Sequence, residues 1–529
     1  MIYQPGTTRR QLLTMVGMVA GGSALYQAMA GIGHAAESDF SGPPNLQACK
    51  PDSTVLVLGA GLAGMLAAYE LRKAGYNVRI LEYQRRAGGR NWTLHGGDSY
   101  TELGGATQNV NFAPGNYLNP GPWRIPYHHR ALLHYTKQFG IALEPFVQVN
   151  HNAYVHNTNA FGGKPQRYRA VAADFHGHIA ELLAKGINQG QLDQAATKAD
   201  HDAIIDALSD WGGLDENLAY KRGEESAEFR GWDKDPSGGV NGAPVPSDPL
   251  PRDALIASGL WRGLVANSVY EMQTTLFQPV GGMDQIGKGF ARQVKDLITF
   301  DAKVTKIEQD EKHVTVTYED HSNGGSIRQA EADWAVVTIP LSILSQIDIQ
   351  VSPAKQAAIQ AIPYATSLKI GLEFKRRFWE EDDAIFGGIS YTNQEISTIA
   401  YPNHGYQSGG KAVLLGAYSF GANSYRIAGL PPDQRIAAAL AQGTAIHPQY
   451  PAEFDNGVAV AWNRVPWSLG CCAIWTEQTR KDHYQDLVSL DGRIVLAGEH
   501  ASYVGCWQEG ALLSSLDAIT RLHQRATAS

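Results

Sequence analysis

Val55–Gly64 reads VLVLGAGLAG, and the next apolar run, Val78–Leu81, ends on the carboxylate of Glu82. An apolar strand, glycines at GxGxxG spacing, the helical stretch LAGMLAAYELRKAG, a second strand and a terminal acid together make a dinucleotide-binding unit. Each part has a mechanical reason. Gly59 permits the tight turn, Gly61 lets backbone approach a pyrophosphate, and Gly64 lets the helix pack on the strand. Leu62 and Ala63 open a helix whose N-terminus turns its positive dipole end toward the phosphates. Glu82 is placed to accept hydrogen bonds from adenosine ribose hydroxyls. A bare GxGxxG would carry little weight in a chain with 56 glycines. The flanking strands, helix and acid give it that weight.

Working outward, 529 residues allow two or three domains and a large core. A formal charge of −8 with no Lys/Arg block excludes nucleic acid as a partner. Cys49, Cys471, Cys472 and Cys506 are too few for a disulfide scaffold and lack paired zinc spacing, so no metal site is expected. Adjacent cysteines such as Cys471 and Cys472 rarely bond each other. At the N-terminus, Thr8-Arg9-Arg10-Gln11-Leu12-Leu13 is a twin-arginine sequence, followed by a mildly apolar stretch that is rich in Gly and Ala and carries Gln27. Such a stretch is poor as a spanning helix, so no stable membrane insertion is expected. Small residues at Gly33 and Ala35 predict a signal peptide over 1–36, cleaved near Ala36, and a folded, cofactor-loaded protein in the periplasm or secreted.

The nucleotide-binding domain is expected in three pieces, 48–118, 281–345 and 456–526, with the polar linker Glu37–Pro51 leading in. Between them lie pieces of a substrate-binding domain at 119–165, 263–280 and 346–455, and a helical insertion with a loop at 166–262. Thr107–Pro120 reads as a loop by its Asn, Gly and Pro content, and HRALLHYTKQFG as a helix ending at Gly140. FHGHIAELLAKG and DHDAIIDALSDWG carry helical periodicity, whereas Lys221–Asp253 is poor in large aliphatics and reads as a long loop. KVTKIEQDEKHVTVTYED, ADWAVVTIP, SLKIGLEF, KAVLLGAYSF and RIVLAG read as strands. The chain closes on the helix ALLSSLDAITRLHQ.

Just after Glu82 stand Arg86-Ala87-Gly88-Gly89-Arg90, glycines flanked by guanidinium groups that suit phosphate and cofactor contacts. With VLVLGAGLAG, RRAGGR, ELGG, GPWRIP, QPVGGMDQIGKGF, ADWAVVTIP, SLKIGLEFKRRFWE, AYPNH and LAGEHASYVGCWQEGA in this order, the chain resembles the flavin amine oxidase family, most of all its bacterial L-amino-acid oxidases. The likeness spans Ser53–Ala526 and is weakest over 170–253.

That resemblance implies an α/β fold: an FAD-binding Rossmann-like domain of the GR2 type, a mixed-sheet α+β substrate domain and a helical insertion. It implies FAD held without a covalent bond, although Cys471 stands where monoamine oxidases bond the flavin. For the cofactor it points to Gly59, Gly61, Leu62, Ala63, Gly64, Glu82, Arg90, Gly105, Val304, Trp467, Gly498, Glu499, Gly505 and Trp507. Glu499 would hold a ribityl or pyrophosphate-side hydroxyl, and the helix beginning near Gly510 would aim its dipole at the flavin carbonyl.

Lys369 matches a lysine that holds a water against flavin N5, where dioxygen is reduced. Arg124 matches a guanidinium clamp on a substrate α-carboxylate, and Tyr401 a hydroxyl that assists it, although Ala400 precedes it where many relatives carry a second tyrosine. Trp507 matches an aromatic wall facing the flavin. The second wall position falls on Cys472, with Trp467 a candidate to complete the sandwich. His404 and His500 lie within motifs, but nothing in their spacing makes either a base; His128-His129 follows the carboxylate loop, a place suited to line an entrance, and reads by default as solvated surface.

The implied activity is oxidative deamination of an L-amino acid by hydride transfer to the flavin, with dioxygen as acceptor. The products would be a 2-oxo acid, ammonia and hydrogen peroxide. Alternatives on the same scaffold are a monoamine or polyamine oxidase, an amino-acid monooxygenase, or a non-enzymatic flavin-fold partner. Relatives are often homodimers.

Overall fold

The structure is a computed structural model and describes residues 38–189, 198–265 and 268–528; the expected signal peptide lies outside them. The VLVLGAGLAG run forms β1 (Thr54–Leu58) and the start of helix Leu62–Lys73, and the run before Glu82 forms β2 (Asn77–Leu81). They join β3 (Ile298–Thr299), β4 (Trp334–Val337) and β5 (Ile494–Leu496) in a sheet of order β3-β2-β1-β4-β5, every pair parallel. Val55–Leu58 and all of β4 are buried, as continuous apolar runs in a parallel sheet should be.

On one face pack Leu62–Lys73 and the C-terminal helix Gln508–Ala528, joined where Ser515 donates its hydroxyl to the Ala63 carbonyl at 2.7 Å. On the other lies a sheet built on the expected strand stretch, which pairs with itself as Ala302–Gln309 against Val314–Asp320. The fold is thus α/β around a nucleotide-binding sheet whose strands come from the first, middle and last parts of the chain.

The second body centres on a seven-stranded, largely antiparallel sheet. Ser367–Phe374 lies inside it between Ala412–Phe420 and Phe454–Ala461, and all eight of its residues are buried. A smaller antiparallel sheet joins Ile125–Pro126, Leu276–Pro279 and Leu143–Phe146. Helices Tyr168–Asn188 and Lys198–Gly212 pack together in the insertion.

Three segments are more ordered than composition suggests. The expected linker is strapped down: Ser38 donates to Glu509 Oε1 at 2.5 Å, and Phe40, Leu46 and Cys49 pack on the main core. The stretch 107–120 contains short strands, Thr107–Asn109 against Ser99–Thr101 and Tyr117–Leu118 against Leu94–His95. Within 221–253 the chain forms helix Glu224–Arg230 and a ribbon of Trp232–Lys234 with Val245–Pro246. A buried charge holds that region. Asp174 accepts from Arg230 Nε (2.8 Å), the Tyr220 hydroxyl (2.7 Å) and the Leu250 N–H (2.8 Å). Ordering there depends on ion pairing and not on aliphatic burial, which a hydropathy pattern does not register.

Candidate active site

A cavity of about 660 Å³ starts at the carboxyl ends of β1 and β2 and runs toward Trp507. A Cβ on Gly59 would stand 2.8 Å from Thr338 Oγ1, and one on Gly64 only 2.0 Å from the Gly59 carbonyl oxygen. At Gly61 a Cβ would meet nothing within 4 Å, so its backbone faces open space at the helix N-terminus. Leu62, Ala63, Glu82 and Val304 line the same end. The Glu82 carboxylate accepts the Ala60 N–H (2.6 Å) and the Gln84 N–H (2.8 Å), and burial pushes its pKa up.

At the far end Arg90, Trp467, Gly498, Glu499 and Trp507 all line the cavity. Glu499 is engaged differently from the expected hydroxyl contact. Its carboxylate takes Arg90 Nη1 at 2.7 Å, the Ala473 N–H at 3.1 Å and the Cys506 N–H at 3.2 Å. Arg90 Nη1 also donates to the Cys471 carbonyl at 2.9 Å. Gly105 and Gly505 do not line the cavity; Leu103 and Cys506 do. Gly105 sits exposed in a turn whose Glu102 is drawn the other way, onto Arg435 and Arg464.

Lys369 is not an edge lysine. It lies in an interior strand, 1% exposed, and its ammonium donates to the carbonyls of Asn119 (3.1 Å) and Gly121 (2.6 Å). It stands 4.4 Å from the ring of Tyr418, a cavity-lining residue. Burial pulls its pKa down to about 7, against the pull of Cys471 and assisted by Arg124.

Arg124 is 5% exposed and rests over the rings of Trp123 (5.0 Å) and Phe146 (5.9 Å). Its Nε and Nη1 are buried without a protein partner. An unpaired buried donor costs free energy, so two donors of this guanidinium stand open to an acceptor.

Tyr401 does not assist it. Its hydroxyl is spent on Ser390 Oγ (2.7 Å) and His447 Nε2 (2.6 Å) inside the core of the second body. The tyrosine that shares an electrostatic environment with Arg124 is Tyr391. On the bulge-free strand Ile389–Thr392, Ser390 and Tyr391 face opposite sides, so the side that takes Tyr401 cannot also be the Arg124 side.

Trp507 lines the cavity and gives its indole N–H to Glu271 Oε2 at 2.7 Å. Glu271 is 3% exposed; burial raises its pKa to about 7, opposed by the Trp507 bond and by Arg124. Against this pair pack His128 and His129, which are buried and not solvated. His128 stacks on Tyr270 at 4.4 Å, and His129 meets the Trp507 ring edge-on at 5.0 Å. Burial first, and then His128, hold the His129 pKa well below the usual imidazole value. His404 stacks on Tyr117 at 5.0 Å, and His500 is fully buried with its pKa pulled down to about 4 by burial.

Cys472 and Cys506 form a disulfide, Cα to Cα 5.1 Å, and both residues line the cavity. Two features of this end were not singled out from sequence, the acid Glu271 and the disulfide. Glu271 is a lone acid in an unremarkable VYEM stretch and carries no signal. The bridge did leave one: each cysteine stands at or beside an aromatic-wall position, Cys472 in one motif and Cys506 next to Trp507 in another. Among the described residues no cluster of His, Cys, Asp and Glu could hold a metal ion, and no helix is long and apolar enough to cross a membrane.

Residues 62–522 match the family model for flavin-containing amine oxidoreductases, and the chain belongs to that family. It is 28% identical over 483 residues to YobN of Bacillus subtilis (strain 168), provisionally assigned as an L-amino-acid oxidase, covering 89% of this chain and 95% of that one. It is 27% identical over 477 residues to the L-amino-acid oxidase of the fish Siganus canaliculatus, covering 89% and 85%. Among solved structures, cyclohexylamine oxidase from Brevibacterium oxydans superposes with a TM-score of 0.59 at 17% identity, over 90% of this chain and 99% of that one. Putrescine oxidase bound to putrescine gives 0.55 at 18%, over 90% and 98%. These two share the fold.

The family implies a flavin, and the cavity fits FAD. The open cradle at Gly61, the acid at Glu82 and the cavity-lining Val304 suit the adenosine and pyrophosphate. The Trp467–Trp507 end suits a flat ring system.

Proposed function

We propose that the protein is an FAD-dependent L-amino-acid oxidase that converts its substrate to the 2-oxo acid and ammonia with release of hydrogen peroxide. The observation that carries this reading is Arg124, a buried guanidinium with two unpartnered donor nitrogens close to Lys369 and Glu271. A simple amine has no use for it. An α-carboxylate would take both donors side by side.

When bound, the flavin supplies the two-electron acceptor. Arg124 fixes the carboxylate, and Trp507, held by Glu271, walls the cavity where the α-carbon must lie. Glu271 accepts the ammonium proton, leaving the neutral amine that oxidation requires; its raised pKa suits exchange near neutrality. Lys369 spends two of its three N–H donors on carbonyls and keeps one for a water, with a positive charge that favours electron transfer to dioxygen.

FAD is held without a covalent bond in this reading, and Cys471 remains a free thiol. Twin-arginine export and a homodimeric state belong to the same proposal and rest on sequence alone.

The test is a peroxide assay over the twenty L-amino acids, their D-enantiomers and a set of simple amines, repeated with Arg124→Ala. Selective turnover of L-amino acids that the variant loses supports the proposal. Equal turnover of amines by both proteins would falsify it in favour of an amine oxidase, and an amide in place of the 2-oxo acid would identify a monooxygenase.

A further inference from the structure

We propose that the Cys472–Cys506 bridge is redox-active and exchanges two electrons with the flavin that this cavity is shaped to hold. Both half-cystines line the cavity that begins at Gly61 and Glu82, and Cys506 is joined directly to the wall residue Trp507.

The surrounding contacts argue against a purely structural bridge. A structural disulfide holds together chains that would otherwise part. Here the two chains are already joined without sulfur, because the Glu499 carboxylate accepts the N–H of Ala473 on one side and of Cys506 on the other. Arg90 adds a second tie, bonding both Glu499 and the Cys471 carbonyl. Opening the bridge would therefore leave two thiols within reach of each other, ready to close again. That is the arrangement a reversible couple needs.

The chemistry balances in both directions. The bridge takes two electrons and two protons from reduced flavin, and its S–S bond parts into two thiols. In reverse, an external dithiol opens the bridge by exchange and leaves as its own disulfide. The Cys472 and Cys506 thiols then pass two electrons to oxidised flavin, release two protons and close again. The inference rests on the flavin reading and not on which amine or amino acid is oxidised, so its test uses reductants that bypass the substrate.

Purified holoprotein is titrated with dithionite without air, then alkylated with iodoacetamide and mapped by mass spectrometry. Full reduction is expected to take twice the dithionite that the flavin alone requires, with new labels at 472 and 506. The Cys472→Ser/Cys506→Ser double variant is expected to bleach with half as much. Dithiothreitol under the same conditions is expected to bleach the wild-type flavin at least tenfold faster than that of the variant. If the double variant fails to hold flavin, the wild-type titration and labelling decide alone. Bleaching by flavin-only stoichiometry with an intact bridge overturns the proposal. So does a bridge that dithiothreitol opens while the flavin keeps its colour.

Discussion

The Trp507 indole donates to the Glu271 carboxylate at 2.7 Å, so the cavity wall and a buried acid near Arg124 form one unit. Burial raises this carboxyl from 4.5 to about 7. An unfolded chain ionises it from 4.5 upward, whereas the folded chain keeps its proton to about 7. Between those values the unfolded state binds fewer protons, so stability falls as pH rises. Glu271→Gln keeps an acceptor for the indole and removes this burden. The variant is expected to be more stable than wild type at pH 8, by on the order of 3 kcal/mol in urea unfolding, with the gap gone below pH 4.5. A gap independent of pH would show that the carboxyl titrates alike in the folded and unfolded chains, so that burial does not raise it. In turnover of an L-amino acid, the acid limb of kcat/KM near pH 7 is expected to vanish in the same variant.

Arg124 gives a prediction about selectivity. Two charge-assisted hydrogen bonds to a carboxylate contribute roughly 1.5–3 kcal/mol each. Arg124→Ala is therefore expected to lower kcat/KM for L-amino acids by about a hundredfold or more, while leaving the visible flavin spectrum intact. Arg124→Lys keeps charge but not the fork, and is expected to recover only part of the loss. Steady-state kinetics on the three proteins checks this. An unchanged KM and kcat in Arg124→Ala would remove the clamp from the account.

Lys369 titrates near 7 in the fold and at 10.5 when unperturbed. Below 7 the ammonium is charged in both states and its burial costs the fold in full. From 7 to 10.5 the unfolded chain binds more protons, so stability rises with pH over that window. Lys369→Met is expected to be more stable than wild type at pH 6, with the difference shrinking toward pH 10.5. In the proposed oxygen step the same charge assists dioxygen, so the recovery of flavin colour when air is admitted to the reduced protein is expected to slow at least tenfold in the variant. Wild type is expected to lose rate as pH rises through 7. Stopped-flow absorbance reads both. A reoxidation rate insensitive to pH and to the substitution would exclude Lys369 from the oxygen step.

The parallel sheet and its glycine turn were legible because steric demands there allow few residues: Gly59 and Gly64 each face an atom closer than a Cβ tolerates. Arg124 and Lys369 were legible through motifs, and the structure brings them close together. Tyr401 was misplaced by resemblance because its hydroxyl found Ser390 and His447, partners on other segments that no local pattern announces. Glu271 was invisible for the same reason; its meaning comes from Trp507, 236 residues away. The region 221–253 looked loose because Asp174 organises it by charge and not by apolar periodicity. Contacts between distant segments, particularly polar ones, are what sequence pattern leaves unread.

Glu102, from the ELGG motif, shows the structural side of that lesson. Its carboxylate is 3% exposed as a residue and takes Arg435 through both oxygens, at 2.6 and 2.8 Å, with Arg464 Nε on one of them at 2.7 Å. Arg435 is fully buried on helix Pro432–Thr444, so this pair fastens the glycine turn 102–105 to the second body. Removing one partner of a buried pair strands the other charge, at a cost of about 3–5 kcal/mol. Glu102→Leu and Arg435→Met are each expected to unfold at markedly lower urea concentration. The double replacement Glu102→Leu/Arg435→Met is expected to recover much of the loss, because the fully buried Arg435 charge is gone and the partly exposed Arg464 keeps the Leu103 carbonyl and solvent. Equilibrium unfolding of the four proteins closes the cycle. Additive losses would mean that the carboxylate and guanidinium, although in contact, are not energetically coupled.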